Sequence, residues 1–367
     1  MQLAKAYLRR EARRRPPLPL SRLDPKEVGR VLLINNTALG DLLFSTPAFR
    51  ALKQTYPHWR LEVLVHPAYR ALVANNPHLD RTWTFPGRSR RLLTLARELH
   101  RQHYDLAIIL HGNDPEATML AWAAGPSFII GSAASPLSFA YSASVPRTDP
   151  FEHAIERRLN FVRLLGADTA DKSMGLFLPP EELRTAEAVL SRHFGPDLPL
   201  LAALHPTGSA PYKCWPAESF AALGNYLHRT YGARLLIVSG PRDREAATSL
   251  AARLAGPALV TGGAFSLLQT AALLSRCRLF MGNDSGPLHL ALALKVPSVA
   301  LMGADHPRRV GPYRVDWGAY LYRKPEVCQE EPCLNRRCPD NRCLKAIKVA
   351  EVIELLQKWW EPRFLKQ

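Results

Sequence analysis

Between Arg30 and Met302 the chain passes twice through one alternation: a short apolar run, a small polar turn, then a stretch of helical period. This alternation constrains the fold more than any other feature of the sequence. Short apolar runs without period-two patterning read as strands buried on both faces, and strands alternating with helices build βαβ units on a parallel sheet. In the first half the expected strands are Arg30–Asn35, Leu61–Val65 and Asp105–Leu110. Helical stretches are expected from the first strand to about Gln54, over Tyr69–Ala74 and over Arg91–Gln102. The pattern restarts with strands at Leu198–Leu204, Arg234–Val238, Ala258–Val260, Arg278–Met281 and Val299–Met302. Helices are expected at Ala217–Thr230, Arg242–Leu254, Leu267–Leu274 and Pro287–Leu294. A chain of 367 residues is long for one domain and comfortable for two. Pro179, Pro180, Pro196 and Pro199 cluster where the halves should part, so the boundary is expected within 178–197. The fold class expected is α/β, with two Rossmann-like domains facing a central cleft at the carboxyl ends of their strands.

Charge narrows the partners. The chain carries 48 Lys and Arg against 32 Asp and Glu, a formal +16, which suits nucleic acid, an anionic membrane or a phosphorylated substrate. The excess is concentrated at the start, where residues 1–30 hold nine Lys or Arg and three acids. Residues 1–15 read as a basic helix with Leu3, Ala6, Tyr7 and Leu8 as a short apolar patch, ended by Pro16, Pro17 and Pro19. A membrane-surface anchor and a solvated tail both fit that pattern. No apolar run is long enough to span a bilayer, and the basic start is not followed by a signal-peptide core. The expected place is therefore the cytoplasm, with peripheral contact at the inner face of the inner membrane through residues 1–15. Six cysteines there read as thiols or metal ligands rather than disulfides.

Four segments carry chemistry. The first, Thr37–Pro47, follows a strand and opens a helix; Gly40 allows close backbone approach, and Asp41 can serve as general base on an acceptor hydroxyl. The competing reading is that Asp41 only caps its helix. The segment lacks the G-x-G-x-x-G fingerprint of dinucleotide binding. The second, His205–Pro216, offers Thr207, Gly208 and Ser209 as donors and Lys213 as a cation, a set that suits phosphate. An ordinary Gly/Pro loop is the alternative. The third, Phe280–His289, takes a strand into a helix that starts near Pro287, where free N–H groups suit a diphosphate. The fourth, Ser239–Glu245, places a carboxylate after a strand, for a ribose hydroxyl or merely for the helix dipole.

In this order and spacing the segments ALGDLLFSTPAFRALKQTYP, HPTGS…KCWP, GNDSGPLHLA and LMGADHP…GPY resemble glycosyltransferase family 9, the ADP-heptose:lipopolysaccharide heptosyltransferases, over roughly residues 30–355. The resemblance implies a GT-B fold, inversion at the anomeric carbon, and no metal or other cofactor. It implies Asp41 as the base and Lys213 as a ligand of the donor phosphates. Thr207 and Ser209 fall near those phosphates, and Asp284, Ser285, Gly286, Pro287, Leu288 and His289 at the helix start that grips the diphosphate. Glu245 matches an acid near the nucleoside, with an alignment open by a residue or two. Gly40 and Thr46 are expected on the acceptor side; outside the resemblance, His111, Asn113 and Asp114 at the end of a strand read either as acceptor contacts or as an ordinary polar loop.

The expected organisation is a basic segment at 1–29, an acceptor domain at 30–180, a nucleotide-sugar domain at 195–345, and a terminal helix at 346–361 crossing back to the first domain. Partners implied are a nucleotide-sugar donor and an anionic glycolipid acceptor. Nucleic acid is not expected, because no nucleic-acid module and no aromatic interleaving accompany the basic run. A sugar-nucleotide-binding protein without transfer activity is a further reading. Cys328, Cys333, Cys338 and Cys343 recur every five residues, a ladder that four-thiol metal sites do not usually show, and unpaired thiols are the favoured reading.

Overall fold

The computed structural model describes residues 2–14, 16–85, 92–112, 115–197, 200–329, 333, 338 and 340–365. The chain forms two compact units, Met1–Gly175 and Leu176–Gln367.

In the first unit six strands form one sheet: β1 (Arg30–Asn35), β2 (Arg60–Val65), β3 (Arg81–Thr84), β4 (Leu106–Ile109), β5 (Phe128–Ser132) and β6 (Ala143–Val145). Their order is β3-β2-β1-β4-β5-β6, and every neighbouring pair is parallel. The second unit repeats the design with β7 (Leu201–His205), β8 (Arg234–Ile237), β9 (Ala258–Val260), β10 (Leu279–Asn283), β11 (Ser298–Met302) and β12 (Gly318–Tyr322), in the order β9-β8-β7-β10-β11-β12. Both are the doubly wound order in which the chain reverses direction across the sheet beside its first strand. The reversal lies between β1 and β4 in one unit and between β7 and β10 in the other. In such sheets ligands bind at the carboxyl edge of this switch point.

The central strands are apolar because helices cover both faces. Leu32, Ile34, Leu64, Ala107 and Ile109 are at most 1% exposed in the first core, with Phe85, Leu99 and Leu120 packed on them. Leu204, Leu235, Ile237, Met281 and Leu301 play that part in the second, beside Trp215 and Phe220. One carboxylate lies inside the first unit. Glu62 is fully buried on β2, accepts hydrogen bonds from Trp83 Nε1 and Tyr104 Oη at 2.7 Å each, and pairs with Arg60. Burial, and then this carboxylate, push the Tyr104 phenol well above its ordinary value.

Several elements differ from the sequence expectation. The proline-rich stretch expected to be the boundary contains the helix Pro180–Phe194, which belongs to the second unit. Pro180 sits in its first turn, where a missing N–H is harmless, so Pro179 and Pro180 mark a helix start. The terminal helix runs Val349–Leu355 and continues in π-helical turns over Leu356–Leu365. Expected to return to the first unit, it buries Val352, Leu356 and Trp360 in the core of the second, where Trp360 Nε1 donates to Arg278 O at 2.8 Å. The head is helical over Gln2–Arg14. Leu8 is buried, Arg9 stands over the ring of Phe139 at 5.6 Å, and Ala6, Arg10, Arg13 and Arg14 are exposed. The head is thus docked on the first unit rather than loose. Among the described residues no helix is long and apolar enough to cross a membrane.

Candidate functional site

At the switch point of the first unit the chain leaves β1 through a tightly tied turn. Asn35, fully buried, donates from Nδ2 to Asp41 O at 2.9 Å and to Ser45 Oγ at 2.7 Å, and accepts from Thr37 Oγ1 at 2.7 Å. The helix Leu39–Leu43 follows, pinned by buried Leu39, Leu42 and Leu43, so Asp41 is left on its open side. The N-cap is Ala38, and Asp41 lies within the first turn. Its carboxylate therefore does not cap; Oδ1 accepts from the Arg158 guanidinium at 2.5 Å. Asp41 keeps 38% of its side-chain surface exposed, whereas Arg158 keeps 7%. Burial pushes the Arg158 pKa down and the Asp41 charge opposes it. An arginine stays charged through such a shift, so the guanidinium orients the Asp41 carboxylate through Oδ1.

The other acceptor-side residues fare differently. His111 follows β4, is 5% exposed, and lines a cavity of this unit. Asn113 and Asp114 lie outside the described residues. Gly40 is an ordinary helical residue without positive φ. Thr46 is buried; its hydroxyl donates to Leu43 O at 2.7 Å and accepts from Gly175 N at 2.9 Å, so it holds the fold together and has no hydroxyl to offer.

At the second switch point β7 opens into a loop fixed from three sides. Asn283 at the end of β10 is fully buried. Its Nδ2 donates to Pro206 O and Thr207 O at 3.1 Å each, and its Oδ1 accepts from Trp215 N at 2.8 Å. Asn341 Nδ2 donates to Cys214 O at 2.6 Å, and Trp215 Nε1 to Ile347 O at 2.9 Å. Lys213 sits in the short turn Pro211–Lys213. Its Nζ donates to Asp305 Oδ2 at 2.6 Å and lies 3.7 Å from Asp284 Oδ2. Burial pulls the lysine pKa down, but Asp284 and Asp305 together push it above its ordinary value. Asp284 also faces His289 Nε2 at 3.5 Å. Its burial raises its pKa, yet His289 and Lys213 carry it net below the usual carboxylate range.

Ser285 is the N-cap of the helix Gly286–Ala293, but its hydroxyl donates to Asn283 O at 3.1 Å and does not cap. The first-turn N–H groups, other than at Pro287, therefore have no side-chain partner from the cap. Leu288 is fully buried and His289 is 4% exposed, so Leu288 belongs to the core and can offer a ligand only its backbone. Thr207 Oγ1 and Ser239 Oγ are buried and lack a hydrogen-bond partner. Ser209 is exposed, as is Glu245 in the first turn of the helix Arg244–Ala251. Asp243, two residues earlier, acts electrostatically on both His205 and Cys214, whereas Glu245 does not.

Three residues of these clusters were not singled out from sequence: Arg158, Asn283 and Asp305. Asn283 and Asp305 lie inside quoted motifs, and a buried amide after a strand is a recognisable loop anchor. Arg158, 117 positions from Asp41, leaves no local signal.

The four ladder cysteines line one cavity of about 590 Å3, together with Tyr212 and the buried Lys324. Burial pushes the Cys343 thiol up from its ordinary value. Among the described residues no three Cys, His, Asp or Glu side chains converge as a metal ion requires.

The profile of Glycosyltransferase family 9 (heptosyltransferase) matches residues 92–339. The Escherichia coli protein described as lipopolysaccharide heptosyltransferase 3 is 25% identical over 334 residues, 87% of this chain and 96% of its own length. The crystal structure of the glycosyl transferase family 9 protein from Veillonella parvula DSM 2008 aligns with TM-score 0.79 and 25% identity, over 91% of this chain and 97% of that one. The E. coli ADP-heptose lps heptosyltransferase II aligns with TM-score 0.74 and 20% identity, over 91% and 99%. The two doubly wound units are thus the GT-B architecture expected from sequence. With a family profile covering more than half its length, the chain belongs to glycosyltransferase family 9.

Proposed function

We propose that this glycosyltransferase moves a heptose from ADP-heptose to a hydroxyl of a lipopolysaccharide core or related lipid-linked glycan, with inversion. The observation that carries the reading is the matched pair of switch points: an oriented, partly exposed carboxylate at one, and a lysine beside an uncapped helix start at the other. The related lipopolysaccharide heptosyltransferases support the donor sugar and the acceptor class. Asp41 Oδ2 takes the proton from the acceptor hydroxyl. The acceptor oxygen forms its bond to the anomeric carbon as the bond to the diphosphate breaks, on the opposite face. Negative charge growing on the leaving diphosphate is met by Lys213 and by the N–H groups at the start of the helix Gly286–Ala293. The step uses no metal ion. Thr207, Ser209, Ser285, Gly286 and Pro287 complete the donor cradle, with Asp284 and His289 holding Lys213 and the turn in place. Asp243 is the better placed acid for the nucleoside and Glu245 the weaker.

The head helix supports peripheral attachment. Leu8 fastens it to the first unit while Arg10, Arg13 and Arg14 remain exposed to anionic headgroups.

The test is calorimetric titration with ADP, UDP, GDP and ADP-heptose on the wild type, Asp41→Asn and Lys213→Ala. Saturable binding of ADP and ADP-heptose, weakened by Lys213→Ala and retained by Asp41→Asn, is the expected result. A folded protein that binds none of the four sinks the donor assignment.

A further inference from the structure

In the second unit one carboxylate stands between two cations. Lys213 Nζ lies 2.6 Å from Asp305 Oδ2, and Arg309 Nη1 lies 3.6 Å from the other oxygen, Asp305 Oδ1. Asp305 lies just beyond β11, and Arg309 is one turn further on, in the helix Pro307–Val310. That turn is fixed locally. His306 Nδ1 accepts from Arg308 N at 3.1 Å, Pro307 is buried, and Gly311 N donates to Pro307 O at 2.8 Å. A Cβ at Gly311 would stand 2.7 Å from that same oxygen, so the turn closes only on a glycine. The Arg309 side chain is 22% exposed and its Nε is buried without a hydrogen-bond partner. Among the described residues Arg309 pairs with no carboxylate other than Asp305. Lys213 is thus shared by two carboxylates, each of which has a second neighbour: His289 Nε2 at 3.5 Å for Asp284, and Arg309 for Asp305. A diphosphate that draws Lys213 away leaves both carboxylates facing new negative charge, which is costly where solvent is partly excluded. Asp284 then keeps His289, and Asp305 keeps Arg309.

We infer that Arg309 is a positioning residue of the donor site: it takes up the Asp305 carboxylate and so frees Lys213 for an incoming diphosphate. The inference rests on Lys213 being a ligand of the donor phosphates, and it deepens that reading by naming what prepares the lysine. Without donor, the Asp305 carboxylate bridges the ammonium and the guanidinium. With donor, Lys213 turns to the phosphate oxygens and the guanidinium fork closes on Asp305, a planar partner that it matches. Arg309 touches the carboxylate and not the nucleotide. Its effect on the donor therefore passes through Asp305 and vanishes when that charge is removed.

The experiment uses the full chain as wild type, Arg309→Gln, Arg309→Lys, Asp305→Asn and the double variant Arg309→Gln/Asp305→Asn, each first shown to be folded by its urea transition. ADP and inorganic pyrophosphate are titrated by calorimetry. Separately, without any ligand, the rate at which Lys213 is acetylated by a soluble reagent is read by peptide mass spectrometry. Arg309→Gln is expected to weaken ADP and pyrophosphate about five- to tenfold, and Arg309→Lys to recover part of that loss, since it keeps the charge. In the Asp305→Asn background the same Arg309→Gln change is expected to alter ADP affinity by less than about twofold. Without ligand, Arg309→Gln slows acetylation of Lys213 about threefold, because Asp305 then acts on the ammonium undivided and keeps it protonated; Asp305→Asn speeds it. A merely structural role for Arg309 would not reproduce this dependence on Asp305. The inference falls if Arg309→Gln leaves both affinities unchanged. It falls equally if the loss persists in full in the Asp305→Asn background, which would make Arg309 a direct phosphate ligand. Tight ADP binding indifferent to Arg309 overturns the inference and leaves the donor assignment standing. Arg309-dependent binding of pyrophosphate by a protein that binds no nucleotide would do the reverse.

Discussion

The two units share a strand order, an all-parallel sheet and a switch point beside the first strand, yet their carboxyl edges present different side chains. After β1 the chain turns within a few residues into a five-residue helix, and a single carboxylate emerges against a guanidinium brought from the helix Ala154–Arg163. After β7 the chain instead runs a long loop to the helix Ala217–Tyr231, and one lysine is shared by two carboxylates from the ends of β10 and β11. The first edge offers a proton acceptor beside a cation. The second offers a cation already neutralised, next to open backbone donors. The scaffold is the same; the length of the loop leaving the first strand, and the side chains that meet it, decide which charges an edge presents.

The largest effect should come from removing the proton acceptor. Asp41→Asn keeps the shape and is expected to lower kcat by about 10²–10⁴, while ADP affinity is unchanged. Full activity in that variant would mean that the first edge supplies no base and that the two edges differ less than their residues suggest. Next comes Asn283→Ala, which strands two loop carbonyls and the Trp215 N–H in a buried site. The expected loss is about 2–3 kcal/mol, read as a lower midpoint in urea with protease sensitivity appearing first in the second unit. Lys213 separates the edges more finely. Lys213→Ala should weaken ADP about 10–100-fold, because it removes a cation and leaves Asp284 and Asp305 facing the phosphates. Asp305→Asn should do the opposite, tightening ADP several-fold as Lys213 is released from its closest partner. Weaker ADP binding in Asp305→Asn would show that Asp305 serves the ligand directly instead of competing with it.

What the sequence disclosed about these edges follows from distance along the chain. The strands of the two switch points, β1, β4, β7 and β10, are read off their apolar runs, because a strand covered on both faces has no polar residue to blur it. The edge strands β3, β6 and β12 escaped. RTWT and GAYLY are half exposed and ASV is three residues long, so none shows an apolar run. Asp284 follows directly from a strand end, and Asp41 and Lys213 lie in the segments that leave β1 and β7, so all three were legible there. The closest partner of each of the latter two comes from elsewhere: Arg158 for Asp41, Asp305 for Lys213. Thr46 and Leu288 share a motif with site residues yet lie in the fold's interior, and a motif cannot tell those two positions apart without burial.

The smallest effect concerns acid, and it separates the units by their carboxylates rather than by their edges. In the first unit Asp168 accepts from Lys172 at 2.8 Å and Arg163 at 3.0 Å. Slight burial works against its charge, but these two cations and the Thr169 N–H hold its pKa down to about 2, from 3.8. A depressed carboxylate stabilises the fold in its charged form. That contribution is complete above the unfolded value near 3.8 and disappears as pH falls through about 2. Because 49% of the side chain is exposed, solvent screens most of the nominal energy, and the contribution is expected to stay below about 1 kcal/mol. Asp168→Asn should therefore cost under about 1 kcal/mol at pH 7 and nothing at pH 2. Hydrogen exchange followed separately in each unit between pH 4 and pH 2 reads this directly. The variant should remove part of the acid sensitivity of the first unit and leave the second unchanged, since the shifted carboxylates there, Glu218, Asp284 and Glu351, draw on partners of their own unit. Equal changes in both units would mean that the two sheets open together in acid, and the comparison between them would then hold for chemistry but not for stability.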